Sequence, residues 1–254
     1  MAHRPVPTWG APPAPSAWDA PPDPPTLGDD DVHVWRAGLD VAPERARALG
    51  ATLSPDERAR ADRLRFERDR GRSIAARGAL RAILARYLDA DPRALIFQYN
   101  PHGKPALAGR DGDALRFNLS HAGGLALYAV ARGREIGIDV ERIADDVEVD
   151  ALAARFFAPE ETRGLAALPL DARREAFFRC WTRKEAYVKA RGLGLALPLD
   201  LFAVPVAPGE PACLSRAPEG DPAHWSLRDL DPDPGYAAAL AVEGAPAHVF
   251  LWQW

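Results

Sequence analysis

Cysteine is scarce in this chain of 254 residues, which contains only Cys180 and Cys213. Two cysteines this far apart form neither a metal-binding spacing nor the framework of a disulfide-rich secreted domain. We therefore expect a protein of the reducing cytoplasm, with Cys180 as a buried structural thiol.

Long hydrophobic runs are also missing. No stretch approaches the roughly 18 apolar residues that a membrane-spanning helix requires, so we expect no membrane association. Residues 1–25 contain nine prolines and lack the apolar segment of a secretion signal. We therefore interpret residues 1–30 as a flexible, proline-rich extension.

A broad excess of positive charge is absent, because the formal net charge is −4. Nucleic acid is accordingly not an expected partner. One segment, from Pro55 to Arg93, is locally basic, with eleven arginines against seven acids. It could hold a phosphorylated ligand, or it could be a solvated helix face with interleaved Arg–Asp and Arg–Glu pairs.

The apolar pattern predicts an α+β protein with two similar halves, residues 31–134 and 135–254. For the first half it predicts strands at 32–35, 95–99, 115–118 and 125–131 and helices at 43–49, 54–66 and 69–88. For the second it predicts a short helix around 156–157, a long one at 171–190 and strands at 135–141, 201–206, 224–229 and 236–242. Each half would be a small, mainly antiparallel sheet packed on a long helix, with a ligand site where the halves meet.

Two segments of the second half carry candidate chemistry. In the first, Gly137, Asp139 and Glu141 alternate with three apolar residues, so a strand would project both carboxylates from one face. In the second, Glu185 and Lys189 are four residues apart in a helical pattern, so they lie on one side of a helix. Three acids and one lysine are thus expected to converge.

Carboxylate ligands without a nearby histidine or cysteine favour Mg²⁺ over zinc, and Mg²⁺ usually completes its coordination with water and substrate phosphates. The two segments therefore indicate a phosphate-bearing substrate. Each segment also has an ordinary explanation, namely a strand that exposes two acids at its end and a helix with a surface Glu–Lys pair.

Longer motifs surround these residues, at 117–121 (FNLSH), 137–141 (GIDVE) and 178–189. Further matches follow one another along the chain at 53–58, 69–81, 103–105, 155–157 and 194–199. In these motifs the chain resembles the 4′-phosphopantetheinyl transferases, specifically the Sfp-type members. The resemblance implies a fold of two α+β halves related by pseudo-twofold symmetry, with most metal ligands in the C-terminal half.

The resemblance also implies an activity. The enzyme would move the phosphopantetheine arm of coenzyme A onto a serine of an apo acyl or peptidyl carrier protein, or of a carrier domain of a synthase, and release adenosine 3′,5′-bisphosphate. Asp139, Glu141 and Glu185 would coordinate Mg²⁺, with Mn²⁺ as an alternative. Glu185 would accept the proton of the serine, and Lys189 would stabilise or protonate the departing phosphate. Two fused halves would allow a monomer to build a complete site, and secondary metabolism is the expected setting.

Contacts to coenzyme A follow from the same resemblance. Ser120 and His121 are similar to the family's phosphate-binding pair, and the turn at Gly103, Lys104 and Pro105 resembles the one that lies against the adenine. Turn conformation alone can also explain the glycine and the proline of this turn. His121 can likewise be explained as a structural histidine that binds no ligand. Contacts to the 3′-phosphate are expected from Arg58, Arg60, Arg72 and Ser73. The chain departs from one family member, which has lysine in place of Glu57.

Two other functions would use the same residues. A metal-dependent phosphohydrolase would release phosphate or nucleotide from coenzyme A without a protein acceptor. A non-catalytic coenzyme A- or nucleotide-binding module would bind without turnover. The acidic run at 145–150 is either a solvated loop or, on the family resemblance, a border of the carrier-protein docking surface.

Overall fold

A computed structural model describes residues 18–109, 112 and 114–254 of the chain. Strands run through both halves of this part of the chain. In chain order they are β1 (Asp31–Gly38), β2 (Phe97–Tyr99), β3 (Pro105–Leu107), β4 (Leu115–Ala122), β5 (Leu125–Arg132), β6 (Ile136–Arg142), β7 (Trp225–Leu230), β8 (Tyr236–Glu243) and β9 (His248–Gln253).

Helices of eight residues or more form two consecutive groups, one between β1 and β2 and one between β6 and β7. In chain order they are α1 (Pro43–Gly50), α2 (Pro55–Asp62), α3 (Glu67–Leu88), α4 (Val149–Phe156), α5 (Pro159–Ala166) and α6 (Leu170–Arg191). Short 3₁₀ turns occupy Pro92–Ala94, Gly194–Ala196, Leu199–Leu201 and Pro222–His224. Among the described residues, no helix is both long and apolar enough to cross a membrane.

The strands form two main sheets and one ribbon. The first sheet has the order β4-β5-β1-β9, the second has the order β6-β8-β7, and β2 and β3 form the ribbon. All pairs are antiparallel except β1 with β9, which is parallel. The predicted α+β class with small, mainly antiparallel sheets is therefore confirmed.

The two sheets lie face to face between the two long helices. Their inner faces share one apolar cluster, which joins Val34 and Leu127 of the first sheet to Ile138 and Leu240 of the second. On the outer faces, α3 buries its apolar stripe against the first sheet and α6 buries its own against the second. The result is four layers in the order helix, sheet, sheet, helix, with the halves meeting along β4 and β6.

A buried ion pair recurs in matching places of the two halves. Glu57 of α2 lies 2.7 Å from Arg81 of α3, and Glu161 of α5 lies 2.7 Å from Lys184 of α6. All four side chains are almost inaccessible to solvent. Each acid follows a helix-starting proline, and each base is the fifteenth residue of a 22-residue helix. This shared register supports the expected pseudo-twofold relation of the halves.

One predicted strand, at 201–206, is wrong. Residues 199–201 form a 3₁₀ turn, and the segment makes only an isolated bridge between Ala203 and Arg216. Its backbone is paired with side chains instead, because Glu161 accepts from the Val204 nitrogen and Lys184 donates to the Phe202 carbonyl. The helix expected at 54–66 ends at 62, whereas the long helices differ from prediction by two residues or fewer.

The last strand, β9, was not predicted. It lies beside β1 in the sheet of the first half, although it belongs to the second half in sequence. The division at 134/135 stays a prediction, with this strand crossing it. Of the expected extension, residues 1–17 lie outside the described residues, and Asp19 bridges to Trp252 along the outer edge of β9.

Candidate functional site

The strand β6 and the helix α6 touch backbone to backbone. Gly137 makes this contact geometrically feasible, because a Cβ atom there would lie 2.1 Å from the Ala186 carbonyl oxygen and 2.3 Å from the Ala190 nitrogen. In a strand, the residues two and four positions after Gly137 point to the same face as Gly137 itself. Asp139 and Glu141 therefore face the helix that carries the other two predicted residues.

Asp139 forms a tight polar cluster with two of the expected ligand-binding residues. Its Oδ1 atom accepts hydrogen bonds from Lys189 Nζ at 2.6 Å and from Ser120 Oγ at 2.9 Å. Lys189 Nζ also lies 2.8 Å from Ser120 Oγ. Asp139 is only 3% exposed, so this carboxylate is held in one place by groups from β4 and α6. We call these three residues the acidic cluster core.

The second oxygen of Asp139, Oδ2, is buried and has no hydrogen-bond partner. A buried carboxylate oxygen without a partner carries a large desolvation cost. Native structures rarely leave such an atom unpaired without a functional reason. The orphaned oxygen therefore marks a position where a cation or a polar ligand atom would be stabilised.

The two other carboxylates lie close enough to feel this charge. Burial, followed by the negative charge of Asp139, raises the pKa of Glu141 to about 7. The same two causes raise the pKa of Glu185, and the Lys189 ammonium opposes the rise at both residues. Three acids thus share one partly desolvated region, in which the charge of Asp139 disfavours the ionisation of both glutamates.

The donor chemistry of this region fits a hard divalent cation. Oxygen ligands alone suit Mg²⁺ or Mn²⁺, and the unpaired Oδ2 of Asp139 supplies a free ligand atom. Across residues 18–109, 112 and 114–254, no group of three or more histidine, cysteine, aspartate or glutamate side chains could hold a metal ion as it stands. The Lys189 ammonium instead neutralises Asp139.

His121 directly follows Ser120 at the end of β4. The residue as a whole is exposed, but protein surrounds much of its ring, and this desolvation, followed by the nearby Lys189 ammonium, lowers the pKa of His121. The nearness of Lys189 places the imidazole at the rim of the acidic cluster core. Ser120 thus belongs to the acidic cluster core and His121 lies next to it, while their contacts with phosphate stay a prediction.

The residues expected at the 3′-phosphate are more dispersed. Arg60 binds the hydroxyl of Tyr99 at 2.6 Å, and Arg58 donates to the Leu53 carbonyl. Arg72 makes two hydrogen bonds of 2.7 Å to Asp40. Ser73, next in α3, is half-buried. These arginines have protein partners already, so they do not form one open anion site.

Arg72 nevertheless lies beside the turn that follows β4. Its guanidinium lies 3.5 Å from the Cβ position that a residue at Gly124 would have. Gly124 belongs to the turn between β4 and β5, three residues after His121. Arg72 can therefore reach a ligand that extends from the rim toward α3.

In the turn between β2 and β3, Gly103 has a left-handed conformation at φ 87°, and Pro105 opens β3. Lys104 points away from solvent. Its ammonium donates to Glu135 at 2.7 Å and to the Ala190 carbonyl at 2.8 Å, and burial lowers its pKa against the opposing effect of Glu135. A cavity of about 290 Å³ borders the turn.

Two structural roles escaped the sequence analysis. Glu57 is a buried partner of Arg77 and Arg81, and it accepts a hydrogen bond from the Ser54 backbone nitrogen. This structural role accounts for a glutamate at the position where one family member has lysine. Asn100 binds both the β2–β3 turn and Gly192. In a turn, an asparagine side chain often accepts a hydrogen bond from the backbone nitrogen two residues later, so an asparagine before a turn is a sequence signal of this role.

Family models match both halves of the chain. The model of the 4′-phosphopantetheinyl transferase superfamily matches residues 135–241, and the model of the 4′-phosphopantetheinyl transferase N-terminal region matches residues 41–132. Together they cover the acidic cluster core, both long helices and the β2–β3 turn.

Curated relatives align over most of the chain. The 4′-phosphopantetheinyl transferase HetI of a Nostoc strain is 45% identical, over 91% of this chain and 94% of the relative. A putative 4′-phosphopantetheinyl transferase of a Synechocystis strain is 38% identical over 70% of this chain and 71% of its own length. Sfp of Bacillus subtilis is 28% identical over 75% of this chain and 82% of its own.

Among solved structures, the holo-[acyl-carrier-protein] synthase AcpS of Thermotoga maritima is similar over 43% of this chain. The match spans 62% of that protein, less than two thirds of its length, with 24% identity and a TM-score of 0.35.

Proposed function

The chain belongs to the 4′-phosphopantetheinyl transferase superfamily, and on that premise we propose that the region around Asp139 is its catalytic centre. As a member of this family it is an enzyme that transfers phosphopantetheine onto carrier proteins, with coenzyme A as co-substrate. The proposal concerns which residues perform the transfer. Asp139, Glu141 and Glu185 would hold a divalent cation, Mg²⁺ or Mn²⁺.

The observation that carries the proposal is the buried, half-satisfied carboxylate of Asp139. One oxygen is held by Ser120 and Lys189, and the other has no partner. Two further carboxylates face it from the same strand and from α6. When bound, the cation would offset negative charge on the pyrophosphate of coenzyme A.

The transfer joins the serine oxygen of the carrier to the phosphorus next to the pantetheine arm. The bond between that phosphorus and the bridging pyrophosphate oxygen breaks, and adenosine 3′,5′-bisphosphate leaves. Glu185 accepts the serine proton as the bond forms. Its raised pKa makes it a better proton acceptor than an exposed glutamate.

Lys189 acts at the opposite end of the same reaction. Its side chain is 29% exposed, so a ligand can approach it, and its ammonium already lies among anionic and hydroxyl oxygens. In this position it stabilises the charge that develops on the departing phosphate. Glu185 and Lys189 lie one turn apart on α6, which allows acid–base chemistry on both sides of the reacting phosphorus.

Coenzyme A would lie along the boundary of the two halves. Ser120 and His121 contact its phosphates, and the backbone of Gly103 and Pro105 borders its adenine. The 3′-phosphate would draw on the arginines and the serine of α2 and α3, which must then exchange their present partners for phosphate oxygens: Arg58, Arg60, Arg72 and Ser73. The Lys104 side chain stays with Glu135 and Ala190.

We further propose that the enzyme acts as a monomer in the cytoplasm on acyl or peptidyl carrier proteins of secondary metabolism. Both halves contribute to one site, because Ser120 comes from the first and Asp139 from the second. A second copy is therefore not needed to complete it. A phosphohydrolase or a non-catalytic binding module would need the same cluster without an acceptor protein, and family membership favours transfer.

Metal binding and turnover measured on the same variants test the assignment. Chelation should abolish transfer, Mg²⁺ or Mn²⁺ should restore it, and Glu141→Gln should weaken Mn²⁺ binding in calorimetric titration by at least about tenfold. The matched control is Glu44→Gln on the exposed face of α1. Transfer that survives chelation, or equal Mn²⁺ affinity in both variants, would contradict the metal assignment.

A further inference from the structure

One side chain of the first half connects the β2–β3 turn to the helix that carries the catalytic residues. Asn100 Nδ2 donates to the Gly192 carbonyl at 2.7 Å. On its other side, Asn100 Oδ1 accepts from the backbone nitrogens of His102 at 3.0 Å and Lys104 at 2.9 Å. One amide therefore organises the turn with its oxygen and holds α6 with its nitrogen.

A second contact parallels the first. Lys104 Nζ donates to the Ala190 carbonyl at 2.8 Å and to Glu135 at 2.7 Å. We call these contacts of Asn100 and Lys104 with Gly192 and Ala190 the turn–helix bridge. Both donors come from the β2–β3 turn, and both acceptors are carbonyls at the end of α6.

The end of a helix needs such donors. Its last four carbonyls have no partner within the helix, and they carry the negative end of the helix dipole. Gly192 closes α6 in the left-handed conformation, at φ 65°. A side-chain amide and an ammonium from the other half of the molecule pair with the Gly192 and Ala190 carbonyls, so the end of α6 is fixed to that half.

The fixed end of the helix is the end that performs the chemistry. Lys189 immediately precedes Ala190, and its ammonium must lie within about 3 Å of both Asp139 and Ser120. A small displacement of the last turn would break both contacts. Misplacement of a catalytic group by about 1 Å can cost roughly a hundredfold in rate.

We propose that Asn100 is a positioning residue for the transfer reaction, acting through Lys189, and that it couples the β2–β3 turn to the catalytic end of α6. This role rests on the proposed function, in which the turn borders coenzyme A and Lys189 acts on the departing phosphate. It requires no contact between Asn100 and either substrate.

The two ends of the Asn100 amide can be separated by one substitution. Asn100→Asp keeps an oxygen for the turn amides of His102 and Lys104 and replaces the donor that faces the Gly192 carbonyl with a second acceptor. Asn100→Ala removes both functions. Gln98→Ala is the matched control, because the Gln98 amide lies on the same ribbon and donates to the Leu107 carbonyl rather than to α6.

Steady-state kinetics on these variants give the first test. Asn100→Asp should lower kcat about tenfold, the effect of one lost hydrogen bond of about 1.4 kcal/mol, and leave the KM for coenzyme A within about twofold. Asn100→Ala should lower kcat and raise KM as well. Gln98→Ala should match the wild type. A fall in kcat that is the same for Gln98→Ala and Asn100→Asp would overturn the proposal.

Combination with Lys189→Met distinguishes positioning from general loss of structure. If Asn100 acts through Lys189, adding Asn100→Asp to Lys189→Met should reduce kcat by less than about twofold further. A full, independent tenfold loss in the double variant would overturn the positioning role. An unchanged kcat in Lys189→Met alone would instead contradict the proposed function.

A second variant tests the bridge should the asparagine variants unfold. A Cβ atom at Gly192 would lie 3.0 Å from Asn100 Nδ2 and 3.1 Å from Lys104 Cδ. Gly209 has a similar left-handed φ of 82°, and no atom lies within 4 Å of the position that a Cβ atom there would have. Gly192→Ala should therefore lower kcat at least about fivefold more than Gly209→Ala, with both proteins folded by circular dichroism. Equal kcat in the two alanine variants would overturn the proposal.

Discussion

Lys189 Nζ lies 2.6 Å from Asp139 Oδ1, and the two residues come from elements of different kinds that meet at one glycine. The lysine is partly exposed, whereas the aspartate is buried. Solvent can therefore reach the Lys189 side of this ion pair but not the Asp139 side. An anionic substrate can approach the ammonium without first displacing the carboxylate.

Glu185→Gln should abolish most of the transfer while the fold is retained. The substitution removes the proton acceptor and one anionic ligand, and loss of a general base typically costs about 10²–10⁴ in rate. Turnover of an apo carrier protein measures the effect. Glu175→Gln, on the same helix but 60% exposed in its side chain, is the control and should transfer normally. Near-normal turnover of Glu185→Gln would refute its catalytic role.

Lys189→Ala should reduce kcat far more than it weakens coenzyme A binding. The reason is that its charge is needed mainly when negative charge develops on the leaving phosphate. Calorimetric titration of coenzyme A and steady-state kinetics separate the two effects. An unchanged kcat with a raised KM would make Lys189 a ground-state phosphate contact instead.

Gly137→Ala should inactivate and destabilise the enzyme. The new methyl group would meet the backbone of α6 at 2.1–2.3 Å, so β6 and α6 must separate, and Asp139 would move away from Lys189. Gly38→Ala is the control, because Gly38 also lies in a strand but has no atom within 4 Å of its Cβ position. Comparable activity and melting temperature in the two variants would contradict the close-packing argument.

Lys184→Met should lower the free energy of unfolding by about 3–5 kcal/mol, because it leaves the buried charge of Glu161 uncompensated. Lys184 has no exposed side-chain area and also donates to the Phe202 carbonyl. Urea unfolding measures the difference. Arg47→Met removes an exposed partner of Glu44 and should cost less than about 1 kcal/mol. A loss below 1 kcal/mol for Lys184→Met would show that the buried pair is not needed.

Stability should fall on acidification because of His33, which burial keeps at a pKa of about 4 against an ordinary 6.5, with Asp31 opposing. Trp35 Nε1 can only donate, so the Tyr87 oxygen accepts there, and the Tyr87 hydroxyl is free to donate to the neutral form of His33 at Nδ1, 2.8 Å away. The folded state therefore excludes the proton that the unfolded chain accepts. The neutral, buried His33 therefore makes its full contribution to the free energy of unfolding above pH 6.5. As the pH falls from 6.5 toward 4, the free energy of unfolding decreases by about 3 kcal/mol.

Unfolding free energies at pH 7 and pH 4.5 measure this effect. His33→Gln keeps an acceptor for the tyrosine but does not titrate, so its stability should change less between the two pH values than that of the wild type. His248→Asn, at an exposed histidine, should behave like the wild type. An equal pH dependence in His33→Gln and the wild type would contradict the assignment to His33.

The sequence alone was sufficient to predict the helices and strands that have a strong local pattern of apolar residues. The two long helices and the strand that carries Asp139 followed from their apolar periodicity and lie where expected. The convergence of Asp139 and Lys189 was expected from the strand and helix segments that carry them. Ser120 was expected at the site only from the family resemblance, because a residue 69 positions from Lys189 in sequence has no local signal of contact.

Non-local pairing set the limit of the sequence analysis. The strand β9 pairs with β1 across 217 residues, and no feature of either segment names its partner. The segment 201–206 has the apolar composition of a strand, but buried Glu161 and Lys184 take up its backbone groups. The arginines of α2 and α3 fit phosphate in type, yet Asp40, Asp56 and Tyr99 already occupy several of them.

Intact-protein mass spectrometry of an apo carrier protein, incubated with this enzyme, coenzyme A and Mg²⁺, tests the central claim most directly. The wild type and the control Asp171→Ala, at an exposed aspartate of α6, should each add one phosphopantetheine to the acceptor, and Asp139→Ala should add none in the same time. An equal mass gain with Asp139→Ala would contradict the assigned catalytic centre, and no gain with the wild type across several acyl and peptidyl carriers would contradict the proposed carrier specificity.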